Sequence, residues 1–211
     1  MLKKVMFAVM FVAAAASASF AEFAVSGRWG QILGSTEFDF NSVAVPNNRS
    51  EAGAGVWGID VFFGKEAMFG LDENVTLGVR LGYSKFGENY LSNSTSTLTS
   101  NIFSTTENLY IKFKLNDQFA ITGSAGVFTA FNTFEYTGAA GAKKTDVSWQ
   151  VLPNVSGSAE FRPLDFLAVG FEIGYMFNGK FDYNKFNVAQ ANIYRDISGF
   201  NYSFFVKFYL T

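Results

Sequence analysis

Residues Asn74 to Phe86 read NVTLGVRLGYSKF. Val75, Leu77, Val79, Leu81 and Tyr83 share one parity, and Thr76, Gly78, Arg80, Gly82 and Ser84 share the other. A strict two-residue period marks a β-strand with two unlike faces. The fold turns on where the smaller face looks. In a soluble sheet Arg80 would sit in water; in a barrel that turns its bulky face to lipid, Arg80 would point into the lumen.

Seven further segments repeat the pattern. FAVSGRWGQIL sets Phe23, Val25, Trp29 and Leu33 against Ala24, Ser26, Arg28 and Gly30. GVWGIDVFFG sets Trp57, Ile59, Val61 and Phe63 against Gly58, Asp60, Phe62 and Gly64. NLYIKFKL (Leu109, Ile111 and Phe113 against Lys112 and Lys114) and FAITGSAGVF (Phe119, Ile121 and Val127 against Thr122 and Ser124) follow. WQVLPNVSGSAEF carries Trp149, Val155 and Phe161 opposite Asn154, Ser156 and Glu160, and LAVGFEIGYMF carries Leu167, Phe171 and Tyr175 opposite Gly170 and Glu172. The last, FNYSFFVKFYL, places Tyr202, Phe204, Val206 and Phe208 opposite Ser203, Phe205 and Lys207.

The N-terminus is of a different kind. Lys3 and Lys4 precede an apolar run from Val5 to Ala16, and a small-residue stretch closes at Ala21. This is the layout of a secretory signal peptide, too short and alanine-rich for a permanent span. Residues 1–21 are therefore expected to be removed, leaving 22–211 as one barrel domain. Without Lys3 and Lys4 the chain keeps 14 basic residues against 18 acidic ones, a net charge of −4. Such a balance offers no basic surface for nucleic acid. With no cysteine, disulfide frameworks and thiolate metal sites are excluded.

The connections alternate in length. KEAMFGLDEN, NDQ and RPLD are short or moderate, whereas residues 35–53, 87–100, 132–146 and 178–199 are long and polar. Long loops on one side and short turns on the other fit an outer-membrane barrel better than a compact soluble domain. The expected fold is all-β: a closed, antiparallel, eight-stranded, up-and-down transmembrane β-barrel with short periplasmic turns and long extracellular loops.

Three features decide which face is outside. First, the charges within strands, Arg28, Asp60, Arg80, Lys112, Lys114, Glu160, Glu172 and Lys207, all lie on the small-residue face. A lysine or arginine facing lipid at mid-bilayer costs about 2–4 kcal/mol. These eight are expected to form an ion-pair network in the lumen, with Arg28, Asp60, Arg80, Glu172 and Lys207 at comparable heights and the other three lower. Gln31 and Glu107, by contrast, have lipid-face parity near the outer ends of their strands. Second, aromatics sort by height, Phe23, Phe63, Phe113, Phe119, Phe161 and Phe208 near the inner ends and Trp57, Tyr83, Trp149, Tyr175 and Tyr202 toward the outer ends. Two such rings are the girdles that meet lipid headgroups. Third, the remaining inward residues are mostly Gly, Ala and Ser, which suit the narrow interior of eight strands.

The strands, the alternating connections and stretches such as NVTLGVRLGYSKF, PNVSGSAEFRPLDFLAVGFEIGY and FNYSFFVKFYLT resemble the small outer-membrane barrels, namely the outer-membrane protein W family and the barrel domain of outer-membrane protein A. The resemblance implies insertion by the outer-membrane assembly machinery, contact with outer-membrane lipid and lipopolysaccharide-type lipids, and no cofactor. For the W family it also implies passage of small apolar solutes. Barrel enzymes that act on lipid A or peptides resemble one another in needing a catalytic histidine, and this chain has none.

GAAGAKKT has the glycines of a phosphate loop without their spacing to Lys143 or Lys144, and is expected to be a loop tip. Loop acids Glu37, Asp39, Glu51, Glu88 and Asp182 could hold divalent cations near lipopolysaccharide, but scattered carboxylates of this kind are ordinarily just solvated. No metal or catalytic site is expected. Two functions remain: a closed, monomeric anchor whose loop aromatics Phe38, Tyr90, Phe134, Tyr136, Tyr183 and Tyr194 contact a surface ligand, and a narrow channel with Arg28, Arg80 and Lys207 at its constriction.

Overall fold

A computed structural model describes residues 22–33, 55–87, 89–92, 97–137, 143–182 and 194–210. The expected leader, residues 1–21, and the loop residues Glu37, Phe38, Asp39, Glu51, Glu88 and Tyr183 lie outside them, as do the side chains of Tyr90, Asp182 and Tyr194. The elements are β1 (Glu22–Ile32), β2 (Gly55–Glu66), β3 (Val75–Phe86), β4 (Asn89–Ser92), β5 (Thr97–Lys114), β6 (Phe119–Thr137), β7 (Lys143–Leu164), β8 (Leu167–Met176), β9 (Lys180–Asp182), β10 (Tyr194–Asp196) and β11 (Gly199–Tyr209).

Eight of these strands close a ring. The order β3-β2-β1-β11-β8-β7-β6-β5 is joined at its ends by β3–β5 pairing, and every pair is antiparallel. The closing ladder runs from Val75↔Phe113 to Lys85↔Phe103, so the strand read first in the sequence makes the seam. Closure matters because an open edge in hydrocarbon would leave backbone N–H and C=O groups unpaired at several kcal/mol each.

Parity holds around the ring. Arg28, Asp60, Arg80, Lys112, Glu160, Glu172 and Lys207 are all buried, while Leu81, Leu109, Ile121, Val155, Ile173, Phe204 and Val206 are exposed on the outside. Trp57, Tyr83, Phe113, Phe119, Trp149, Phe161 and Phe208 are likewise exposed there. Phe63, Tyr175 and Tyr202 are half-buried. Phe23 departs from this, because its ring is buried and stacks on Phe63 at 5.3 Å. Outer-end rings touch from strand to strand: Trp57 on Tyr83 at 6.1 Å, Tyr83 on Phe103 at 6.3 Å, and Phe103 on Phe131 at 5.1 Å. Such cross-strand contacts, each on the order of 0.2–1 kcal/mol, tie neighbouring strands together on the outer face.

The two polar groups with outward parity find partners there. Tyr202 donates its hydroxyl to Gln31 at 3.0 Å, and Thr129 donates to Glu107 at 3.4 Å.

Two expected loops are largely strand. Residues 87–100 hold β4 paired with the start of β5, and 132–146 hold the end of β6 paired with the start of β7. β5, β6 and β7 run to 18, 19 and 22 residues, well beyond the 9–11 or so that span a bilayer. Threonine and aromatic residues at alternate positions favour strand even where serine and asparagine make the segment look like loop.

One consequence is measurable. Leu109→Lys puts a charge on a position 69% exposed on the outer face. It is expected to cost about 2–4 kcal/mol in reversible urea unfolding from lipid vesicles.

Candidate functional site

The lumen holds the charged residues in two layers. In the upper one, Arg80 grips Glu172 with two nitrogens (Nη1 to Oε2 2.5 Å, Nη2 to Oε1 3.2 Å) and reaches Asp60 Oδ2 at 3.0 Å. Arg28 pairs with the same Asp60 oxygen through Nε at 3.1 Å and lies 3.7 Å from Glu172 Oε1. It also donates to the hydroxyls of Ser84 and Thr106. Four strands, β1, β2, β3 and β8, are thus tied across the lumen by two cations and two anions. Gly82 makes the space, since a Cβ there would overlap Asp60 Oδ1.

Below it, Lys207 Nζ meets Glu160 Oε2 at 2.8 Å, Tyr209 donates its hydroxyl to Glu160 Oε1 at 2.5 Å, and Lys112 pairs with Glu22. Aromatic faces shield these cations: Lys207 lies 4.2 Å from the Phe62 ring centre, and Lys112 lies 5.1 Å from that of Tyr209. Two expectations are corrected here. Lys207, expected level with Arg80, pairs with Glu160 of the lower layer, because the ladder row of Glu160 passes through Gly170 to Phe205, two residues from Lys207, whereas that of Glu172 reaches Ser203, four residues away. Lys114, expected in the lumen network, pairs with half-exposed Glu66 at the inner rim, where its strand ends.

Sequence reasoning missed Glu22, which looks like the first residue after a leader rather than a lumen group. It also missed a third polar set between β5, β6 and β7. Asn108 donates to Asn154 Oδ1 at 2.7 Å and Asn154 returns a bond at 3.0 Å, while Ser124 and Ser156 hydroxyls lie 2.7 Å apart. Inward parity at 108 and 154 could have suggested it, but which amides meet depends on ring register.

The largest surprise is at the outer end. Ile32, Phe86, Ile102, Phe128, Phe134, Leu152 and Met176 point inward and form an apolar cluster above the ion pairs, completed by Phe181 and Ile197. Phe134, expected as an exposed loop aromatic, is fully buried there at 0%, and Tyr136 packs against the same cluster. The correction follows from β6 continuing as strand, which keeps Phe134 on the inward parity of Phe128.

Little space is left. A cavity of about 10 Å³ lies in the charged layers, and one of about 20 Å³ lies under Gln31 and Tyr202. Each is near the size of a single water. The four cations Arg28, Arg80, Lys112 and Lys207 balance the four anions Glu22, Asp60, Glu160 and Glu172. Among the described residues no group of three or more His, Cys, Asp or Glu is arranged to hold a metal ion.

No family model matches the chain, and no curated protein does. Among solved structures the barrel is similar to Ail, the attachment invasion locus protein of Yersinia pestis (9% identity, 89% of this chain and 97% of that one, TM-score 0.47). It is also similar to the outer membrane protein OprG from Pseudomonas aeruginosa (12%, 90% and 97%, 0.48) and to the outer membrane protease OmpT from Escherichia coli (10%, 91% and 98%, 0.45). These neighbours are small outer-membrane β-barrels. At such identities and scores the likeness is one of general fold, and it brings no activity, substrate or subfamily to this chain.

Breaking the upper layer from one side has a definite expected cost. Arg80→Ala leaves Glu172 short of its main partner and is expected to destabilise the folded barrel by about 3–5 kcal/mol. Replacing Arg80 and Glu172 together by Met and Leu keeps Arg28 with Asp60 and is expected to recover most of that loss, both measured by urea unfolding in vesicles.

Proposed function

We propose that this chain is a non-enzymatic protein of the bacterial outer membrane, a closed barrel that anchors extracellular loops able to contact a surface ligand. The observation that carries the reading is the filled lumen of the described residues: paired charges of equal number, packed aromatics, and small cavities of about 10 Å³ among the ion pairs and about 20 Å³ under Gln31 and Tyr202. A neutral, paired lining has no excess field to draw an ion in, and a solute the size of a sugar has no path. The apolar outer band and the secretory leader support the location. The absence of histidine supports the non-enzymatic reading. Lipid and lipopolysaccharide would surround the barrel, the assembly machinery would insert it, and it would act as a monomer without cofactor or nucleic acid.

The channel reading draws on the same charged ring, with Arg28, Arg80 and Lys207 as the constriction. It is disfavoured because each of these cations is paired with a carboxylate. Liposome swelling with a small sugar separates the two. The wild-type barrel is expected to leave liposomes as tight as protein-free controls, and swelling above that level would reject the closed reading. In intact cells, a membrane-impermeant amine reagent is expected to label Lys143 and Lys144 but not Lys114; the reverse pattern would invert the assigned orientation.

A further inference from the structure

A groove of about 780 Å³ lies on the outside of the barrel, across β1, β11, β8 and β7. Register shows how it is made. The outward row Trp29↔Phe204↔Phe171 is a ridge of rings, with Phe171 5.1 Å from Phe204. Two residues along each strand toward the inner end, the row Gly27↔Val206↔Val169 is low. That row stops at Phe161 and Phe119, whose rings lie 5.0 Å apart. The groove follows the low row beneath the ridge. It slopes inward, because Gly27 is at the middle of β1 whereas Phe161 is near the end of β7 and Phe119 opens β6. Strand tilt in a closed eight-stranded barrel produces such a slope. Four strand spacings, about 19 Å, separate its two ends.

Gly27 is the residue that the barrel itself does not call for. A Cβ there would meet nothing within 4 Å, whereas at inward-facing Gly58 and Gly170 it would collide with Tyr83 O and the Phe205 ring. The ladders on both sides of Gly27 run without a register shift. Glycine weakens a strand interior, and where no bulge or bend needs it, it marks a place that something else approaches closely.

Polar groups stand above the upper end of the groove. Gln31 has outward parity four residues along β1 from Gly27. Tyr202 donates its hydroxyl to Gln31 Oε1 at 3.0 Å, which fixes the amide and leaves its NH₂ group without a partner among the described residues. That group carries two donors. Lys85 is exposed at the same end of the barrel, on the ladder row Trp29↔Trp57↔Lys85 and so about 10 Å from Trp29 by two strand spacings. Among the described residues Lys85 forms no ion pair.

We propose that this groove binds one molecule of lipopolysaccharide through its lipid A. An acyl chain lies along Gly27, Val206 and Val169, the carbonyl that links the chain accepts from the Gln31 amide, and a phosphate meets Lys85. The polar groups are at the outer ends of their strands, so the occupant comes from the outer leaflet, which in a bacterial outer membrane is lipopolysaccharide. The trough is continuous with the lipid-facing band, and an uncharged donor followed by a lysine matches a carbonyl followed by a phosphate. The inference rests on the outer-membrane reading and its orientation, and adds to them a ligand site on the outside of the barrel.

The test is native mass spectrometry of the full chain, extracted from outer membranes, stripped of lipid in detergent and titrated with purified lipid A. Folding is checked by heat-modifiable migration. Wild type is expected to take up one lipid A per barrel. Gly27→Phe, whose ring enters open lipid-facing space, is expected to fold and to bind at least tenfold more weakly. Gln31→Leu and Lys85→Gln are each expected to weaken binding several-fold. Gly123→Phe makes the same change at an outward glycine away from the groove and is expected to bind as wild type does. A Gly27→Phe form as tight as wild type, a Gly123→Phe form as weak as Gly27→Phe, or phosphatidylglycerol bound as tightly as lipid A would overturn the site. Fractionation of the same cells keeps the two readings apart. A chain in the outer membrane that takes up no lipid A loses the site alone, and a chain missing from that fraction loses both.

Discussion

A sheet immersed in hydrocarbon has no water to satisfy its edges, and that constraint governs everything else in this molecule. It forces β3 onto β5, and once the ring is shut each strand has an inside and an outside fixed by parity. Arg80 is then committed to the lumen at a cost of desolvation that only carboxylates within reach can offset. Asp60 on the neighbouring strand and Glu172 across the ring supply them. The ion pairs are therefore a consequence of closure, and in turn they hold the register that closure requires.

The lumen is graded along its length. Near the inner end, cations lie against aromatic rings; in the middle, amides and hydroxyls bond in pairs; toward the outer end, hydrocarbon takes over. Arg28 stands at one boundary, its guanidinium paired with Asp60 and 5.8 Å from the Phe128 ring centre. Charge sits where aromatic rings, hydroxyls and opposite charges can surround it, and apolar groups fill the end where strands run beyond the bilayer. A barrel filled this way transmits force between strands.

Strand length links the fold to what the protein presents outside. β5, β6 and β7 run on beyond the other strands as a paired wall, while the described stems of the β8–β11 connection, β9 and β10, pair with each other. The wall gives the hairpin something to lean on, as Gln150 shows.

Parity made the eight strands and their two unlike faces legible, because a strand's geometry allows only two, and the confinement of charges and small residues to one of them said which face is inward. Composition misled where serine and threonine made extended strand look like loop, which is why Phe134 was expected outside. What the sequence could not decide is who meets whom across the ring. Lys207 takes Glu160, Lys112 takes Glu22, Asn108 takes Asn154, and Phe181 joins the apolar cluster of the outer end. Alternation is a property of one strand, whereas these partnerships depend on the stagger between strands and on where a connection folds, and both are set only when the ring closes.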